Sequence, residues 1–314
     1  MRRRGPLFFL QLGFTLAVCA FLIVPVVVSM LAGLTANYLA GIASGLTLRW
    51  VEEVWSGYRD TIFLSMGIAL ACLACTLALG VPTAYVLARR QTALARALEE
   101  LLVMPVALPG LATALALIVT YGWAGIFRTS WTFILVGHVL FTLPFMVRAV
   151  LAVLMAIDLK TLEEGAASLG AGFAQRFFHV VLPNCRSGVL AGALMVVTLS
   201  MGEFNMTWLL HTPLDKTLPV GLADAYASLR LEIASAYTLV FFVMIVPLLL
   251  AMQMLSRADG ERVQGRGQVR SSRSGPTMSA IEAEGTLERS ASMIAMEAPR
   301  NDLKKSRQET RDTI

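Results

Sequence analysis

Charge is scarce in this chain. Asp, Glu, Lys and Arg together make up 15% of its 314 residues, where a soluble globular domain carries about 25%. Mean hydropathy is +0.68, and an ordinary soluble domain is excluded on both counts. The sequence has no Gly-x-x-x-x-Gly-Lys-Ser/Thr loop to cradle a nucleotide's phosphates, so any ATP must be bound by another chain. Neither His-Glu-x-x-His nor Gly-x-Ser-x-Gly occurs, and His138, His179 and His211 each stand in a different segment, which gives a metal or His-based catalytic site weak support. No enzyme activity, cofactor, metal or nucleic-acid partner is expected. Cysteine is sparse too. Cys72 and Cys75 form a Cys-x-x-Cys in the middle of an apolar run without a basic or His neighbour, and Cys19 and Cys185 have no evident mates, so neither a redox site nor a disulfide framework follows.

What the chain has instead is apolar length, with 56% hydrophobic residues. A helix needs about 20 residues to cross the hydrocarbon of a bilayer. Six largely uncharged runs reach that length, approximately 7–34, 61–88, 101–122, 132–154, 188–210 and 233–256. The expected fold is therefore an all-α polytopic membrane protein with six transmembrane helices. Pro105 and Pro109 make the start of the third span uncertain in position, because the backbone groups they free must find partners in neighbouring helices. Trp50 and Trp55 among Arg49, Glu52 and Glu53 read as an interfacial aromatic belt.

Basic residues stay on the cytoplasmic side of a span. With the N-terminus inside, ten Lys/Arg fall at cytoplasmic ends before the tail is counted, Arg89, Arg148 and Lys160 among them, against five outside, such as Arg49 and Arg128. Both termini are expected in the cytoplasm. The first run is longer than the apolar core of a secretory signal and should remain as an anchor. From 257 to 314 the chain is rich in Ser, Arg, Glu and Gly with no sustained apolar period, and a disordered cytoplasmic tail is expected there. This divides the chain into an anchor helix and first outer loop (1–60), a core (61–256) and the tail.

Between the fourth and fifth runs lies a short polar hairpin, 161–183. Thr161 and Glu164 have the spacing of a capping box, predicting a helix start just after Thr161, and Gly170 supplies a residue able to take the left-handed conformation that ends a helix. Phe173 and Phe177 lie four apart on one face of a second short helix, which Pro183 should stop at Leu182. Within the apolar runs, Glu203 and Asn205 are costly to expose to lipid, so Glu203 is expected to face the bundle interior, in a pathway or against a neighbouring helix. His138 reads as an interhelical hydrogen-bonder or, less simply, a contact on the pathway. Gly188 and Gly192 form a Gly-x-x-x-Gly that would let another helix approach closely.

The hairpin resembles the "EAA" loop of ABC-importer permeases, whose pattern is Glu-Ala-Ala, three residues, Gly, nine residues, Ile, one residue, Leu-Pro. Glu164, Ala166, Gly170, Leu182 and Pro183 match in register, while Gly165 stands for Ala and Val180 for Ile. The stretches 104–110, 200–204 and 45–50 look like the branch serving polyamine, aminoalkylphosphonate, ferric-iron and thiamine importers. The resemblance implies a coupling surface made of Glu164, Ala166, Ala167, Gly170, Leu182 and Pro183 that docks on a dimeric cytoplasmic ATPase. It also implies a second permease subunit, expected to be a different chain, a periplasmic substrate-binding protein, and a bacterial inner-membrane location. Glu203, Asn205 and His138 are the candidates for lining the route. The implied substrate is a small polar solute, a polyamine such as spermidine or putrescine or an aminoalkylphosphonate. The alternative is a secondary transporter or channel independent of an ATPase, which should show inverted repeats that this sequence lacks.

Overall fold

The computed structural model describes residues 6–273, and among these the regular structure is all helix apart from one isolated backbone bridge, Thr35 to Leu46. Four helices are long and apolar enough to cross a membrane: α1 (Pro6–Ala32), α2 (Arg49–Arg89), α5 (Trp131–Ala156) and the apolar part of α11 (Leu231–Arg273). Two bent pairs of helices reach the same length and composition when each pair is taken together. α3 (Ala93–Ala107) meets α4 (Gly110–Tyr121) at 103°, and α7 (Phe173–Asn184) meets α8 (Arg186–Met201) at 71°. The count is four, or up to six if each bent pair is one span, and the second pair covers 173–201 where the expected run was 188–210. Between them lie α6 (Leu159–Ser168), α9 (Asn205–Leu210) and α10 (Leu218–Ala227).

The third span shows why sequence length misplaced it. Leu108 is extended (φ −88, ψ 141) because the ring of Pro109 disfavours helical geometry in the residue before it. The expected run 101–122 therefore straddles a sharp break, and Pro109 becomes the N-cap of α4. The fifth span is also interrupted, since α8 ends at Met201 and a new helix begins at Asn205. α2 starts earlier than the expected 61, at Arg49, with non-helical geometry at Tyr58 absorbing a kink. Much of the expected outer loop is thus helical, and the Trp50 indole donates to the Thr35 carbonyl at 3.0 Å.

The core lies among α2, α5 and α8, where Cys72, Ala84, Met146, Val150 and Val196 are buried. Small residues set the spacing. A β-carbon at Gly188 would stand 2.6 Å from the Ala149 carbonyl oxygen, and one at Gly192 2.7 Å from the Met146 sulfur. The Gly-x-x-x-Gly pair is therefore what brings α8 onto α5. α1 is different: its side chains are exposed along nearly all its length, with Phe21 at 79%, and its far end is held where Gly33 meets the backbone of Ser235 and Ala236.

The compact unit ends at Ala258, but α11 runs on to Arg273. Within the expected tail, residues 257–273 continue α11, where a helix already nucleated adds one hydrogen bond per residue at little cost and Glu261, Arg262 and Gln264 are good helix formers. The rest of the expected tail, 274–314, lies outside the described residues.

Candidate functional site

The polar hairpin is two short helices joined by a tight turn. α6 begins at Leu159, before the expected start, because Asp158 and not Thr161 is its N-cap. The Asp158 carboxylate accepts from the Thr161 amide at 3.2 Å and from the Thr161 hydroxyl at 2.7 Å. Those two bonds hold its carboxyl below the ordinary range. Glu164 does not cap. It points outward, 3.8 Å from Lys160 one turn earlier, an exposed pair of small energetic weight.

At the other end of α6 the Gly170 amide donates to the Ala167 carbonyl at 2.9 Å and the Ala171 amide to Ala166 at 3.1 Å. This is the Schellman arrangement, which satisfies two carbonyls at the end of the helix and needs a left-handed residue between them. Gly170 has φ +84, and open space surrounds the position of a β-carbon there. Any side chain is therefore disfavoured by backbone strain, not by crowding. Ala166 is half-buried and Ala167 exposed, and Leu169 at the tip is 89% exposed.

The return helix α7 is capped by Gly172, whose amide donates to the Gln175 side chain at 2.9 Å. Over Phe177–Val181 it widens into a π-turn. Pro183 does not stop it at Leu182; the helix runs through to Asn184 and breaks at Cys185. The π-turn lies directly before Leu182 and Pro183, which sit in the first turn of the α-helical segment that follows, a position where a proline's missing N–H is tolerated. Leu182 packs against the core, whereas Pro183 is exposed.

Sequence reasoning missed what fixes the hairpin to the bundle. Glu163, beside the motif glutamate, is buried and accepts a hydrogen bond from the Tyr85 hydroxyl of α2. Arg89, one turn further along α2, approaches the other carboxylate oxygen at 3.4 Å and donates to the Tyr85 hydroxyl at 3.2 Å. The rings of Phe173 and Phe177 stack on each other and both meet Tyr85, at 6.1 and 5.3 Å. Both arms of the hairpin thus grip the last turn of α2. A signal was present: Glu163 lies four residues after Leu159 and three before Ala166, on the inward stripe of α6.

The second polar cluster surrounds the break after α8. Glu203 occupies the turn itself and caps α9. Its carboxylate accepts from the Met206 amide at 2.8 Å, the Thr207 amide at 2.9 Å and the Thr207 hydroxyl at 2.7 Å. Its side chain is 9% exposed, so the penalty for a carboxylate in this region is offset by helix N-terminal amides. His138 of α5 is buried behind it, with Nδ1 2.8 Å from the Ser200 hydroxyl and Nε2 2.8 Å from that of Thr207. Both ring nitrogens have partners, and the histidine ties α8 and α9 to α5. Asn205 is exposed, and its Cβ lies 3.3 Å from where a β-carbon on Gly110 would be. The breaks of the third and fifth spans therefore meet. Among the described residues no cluster of His, Cys, Asp and Glu could hold a metal ion.

Comparison with known proteins bears on this arrangement. The family model for the binding-protein-dependent transport system inner membrane component matches residues 80–258. The sulfate transport system permease protein CysW of Synechocystis sp. is 27% identical over 217 residues, 65% of this chain and 78% of its own. The putrescine transport system permease protein PotI of Escherichia coli K12 is 27% identical over 274 residues, 81% of this chain and 92% of its own. A chain from inward-facing structures of the MetNI methionine ABC transporter shares the fold, with a TM-score of 0.53 and 17% identity over 64% of this chain and 94% of that one.

Proposed function

The chain belongs to the family of binding-protein-dependent transport system inner membrane components and is an ABC-importer permease, and from that premise we propose how it works and what it carries. The hairpin 159–184 is the coupling element. Its exposed tip at Leu169 and Gly170 docks on a dimeric cytoplasmic ATPase, and ATP-driven closure of that dimer moves the hairpin as one body. The observation that carries this reading is the pairing of a tight Schellman turn at the tip with the Glu163–Tyr85–Arg89 anchor at the base. A lever needs rigidity at one end and attachment at the other. Motion at the tip then reaches α2 directly, and reaches the broken fifth span through the bend at Cys185.

In this reading both termini are cytoplasmic, a second and different permease subunit completes the pathway, and a periplasmic binding protein delivers the solute. Glu203, Asn205 and His138 lie at the route, where the breaks of the third and fifth spans meet. The solute is small and polar, a polyamine or an aminoalkylphosphonate. The putrescine-system relative supports the former, and the sulfate-system relative shows that anions are carried by similar chains. Because the Glu203 oxygens already accept three hydrogen bonds, the carboxylate attracts a cation through its net charge and not as an open ligand.

The test is reconstitution of the full complex with its ATPase and binding protein. ATP-dependent uptake of putrescine or aminoethylphosphonate, absent without the ATPase, is expected. Uptake that proceeds without the ATPase, driven by an ion gradient, would overturn the coupling reading; ATP-dependent uptake of neither solute would overturn only the substrate.

A further inference from the structure

The Thr207 hydroxyl stands between Glu203 and His138, and the hydrogen bonds around it leave each proton one place. Thr207, Ser200, Thr142 and His138 are all buried. Glu203 Oε2 lies 2.7 Å from the Thr207 hydroxyl, and the Glu203 carbonyl, at 3.4 Å, is the weaker acceptor. A carboxylate accepts and does not donate, so the one hydroxyl proton of Thr207 is committed to Oε2. His138 Nε2, 2.8 Å from the same hydroxyl oxygen, then meets only lone pairs there and must carry a proton itself.

The other ring nitrogen sets the charge. Nδ1 is 2.8 Å from the Ser200 hydroxyl. With Nδ1 unprotonated, Ser200 donates to it and both groups are satisfied. With Nδ1 protonated, as in an imidazolium, the buried Ser200 proton would be left to the neighbouring Cys72 thiol, a weak acceptor. The backbone of the histidine is held by the same logic. Thr142 donates to the His138 carbonyl at 2.7 Å, so the Cys72 thiol of α2, 3.2 Å away, donates to Thr142. Nε2 and Oε2 are 3.9 Å apart with the Thr207 hydroxyl bonded to both, and Glu203 has no Lys or Arg partner among the described residues.

We propose that Thr207 is a positioning residue for transport: by receiving the His138 Nε2 proton and giving its own to Glu203, it holds the histidine neutral and the glutamate ionised. The pair then presents one net negative charge at the Gly202–Glu203 turn. This rests on the reading of that turn as part of the route. An imidazolium beside Glu203 would cancel the charge, whereas the neutral ring leaves a field that favours the ammonium group of a solute over an anion.

The test is solid-state NMR of the full-length chain in lipid bilayers near neutral pH, with histidine labelled at its ring nitrogens and the His138 signal assigned by its loss in His138→Gln. Wild type is expected to show a neutral ring protonated at Nε2. Thr207→Val removes the acceptor and should give a mixture of the two neutral forms, while Thr207→Ser restores the single one. Ser200→Ala, which removes the partner at the same distance on the other nitrogen, should leave the proton on Nε2. His211, whose Nδ1 donates to the Thr207 and Trp208 carbonyls, reports in each variant that α9 is intact. An imidazolium or an Nδ1–H ring in wild type overturns the proposal, as does an unchanged His138 signal in Thr207→Val. In the reconstituted complex, Thr207→Val should slow uptake of putrescine or aminoethylphosphonate, whichever is carried, about fivefold, the scale of one hydrogen bond, and Thr207→Ser should restore it. Wild-type uptake by Thr207→Val would overturn the positioning role. A complex that carries neither solute fails the substrate reading and not this one, which the spectra decide.

Discussion

Glu163 and Glu203 are both largely buried carboxylates in a chain poor in charge, and they are held in opposite ways. Glu163 is met by groups from elsewhere in the sequence, Tyr85 and Arg89 of α2, 78 residues away in the case of Tyr85. Glu203 is met mainly by its own neighbours, the amides and hydroxyl of residues three and four positions on. The first arrangement joins two elements and fails if they separate. The second stiffens one element, so that the turn and α9 move as a piece, leaving His138 to tie that piece to α5. One carboxylate joins two elements and the other shapes a single one.

The contrast is sharpened by variants whose expected effects descend in size. Gly170→Val should abolish uptake, because a β-branched residue resists φ +84 at a cost on the order of 1–3 kcal/mol and the tip would have to unwind. Membrane insertion, read by protease protection, should be unaffected. Glu163→Ala removes the shared partner of Tyr85 and Arg89. Arg89 is half exposed, so the loss is discounted from that of a fully buried pair to about 2 kcal/mol, seen as a lower melting temperature of the complex, with uptake reduced and the ratio of solute moved to ATP hydrolysed lowered. Exchanging the charges, Glu163→Arg with Arg89→Glu, should recover part of that ratio. A pair of variants that stays fully coupled would show that the anchor is dispensable.

Glu203→Gln should have a smaller effect on the fold, about 1 kcal/mol, since the amide oxygen still caps α9 while the charge facing the N-terminal amides is lost. Transport is expected to fall with assembly intact. A Glu203→Cys variant in a background without the native cysteines should react with a small water-soluble thiol reagent added from outside. Normal transport by the Gln variant together with inertness of the cysteine would confine Glu203 to its capping role. Last is Ser200→Ala, which leaves one ring nitrogen of the buried His138 without its partner and should lower the melting temperature by the equivalent of about 1 kcal/mol, with little change in uptake.

The same contrast explains what was legible in the sequence. Gly170 announced itself, because a glycine closing a helix has one backbone conformation to supply and needs no knowledge of distant residues. Close packing at Gly188 and Gly192 was legible for a similar reason. Glu163 was passed over because its meaning lies in Tyr85 and Arg89, which spacing within the hairpin does not reveal. Helix limits were misread wherever a side chain competed with the expected signal: Asp158 displaced Thr161 as the cap, the π-turn carried α7 through Pro183, and Glu203 closed α8 early by starting α9. Run length alone suggested continuous helices over 101–122 and 188–210, whereas Pro109 breaks the first and the Gly202–Glu203 turn the second.

The central claim is that the tip of the hairpin meets the ATPase. In a background lacking Cys19, Cys72, Cys75 and Cys185, Leu169→Cys and Leu214→Cys place single thiols on two exposed leucines, one at the hairpin tip and one in the loop after α9. Treatment of the assembled complex with a short bis-maleimide, the ATPase carrying a single cysteine in its docking groove, is predicted to join Leu169→Cys to the ATPase and to leave Leu214→Cys unlinked. A cross-link from Leu214→Cys, or none from Leu169→Cys in a complex that still hydrolyses ATP, would contradict the account.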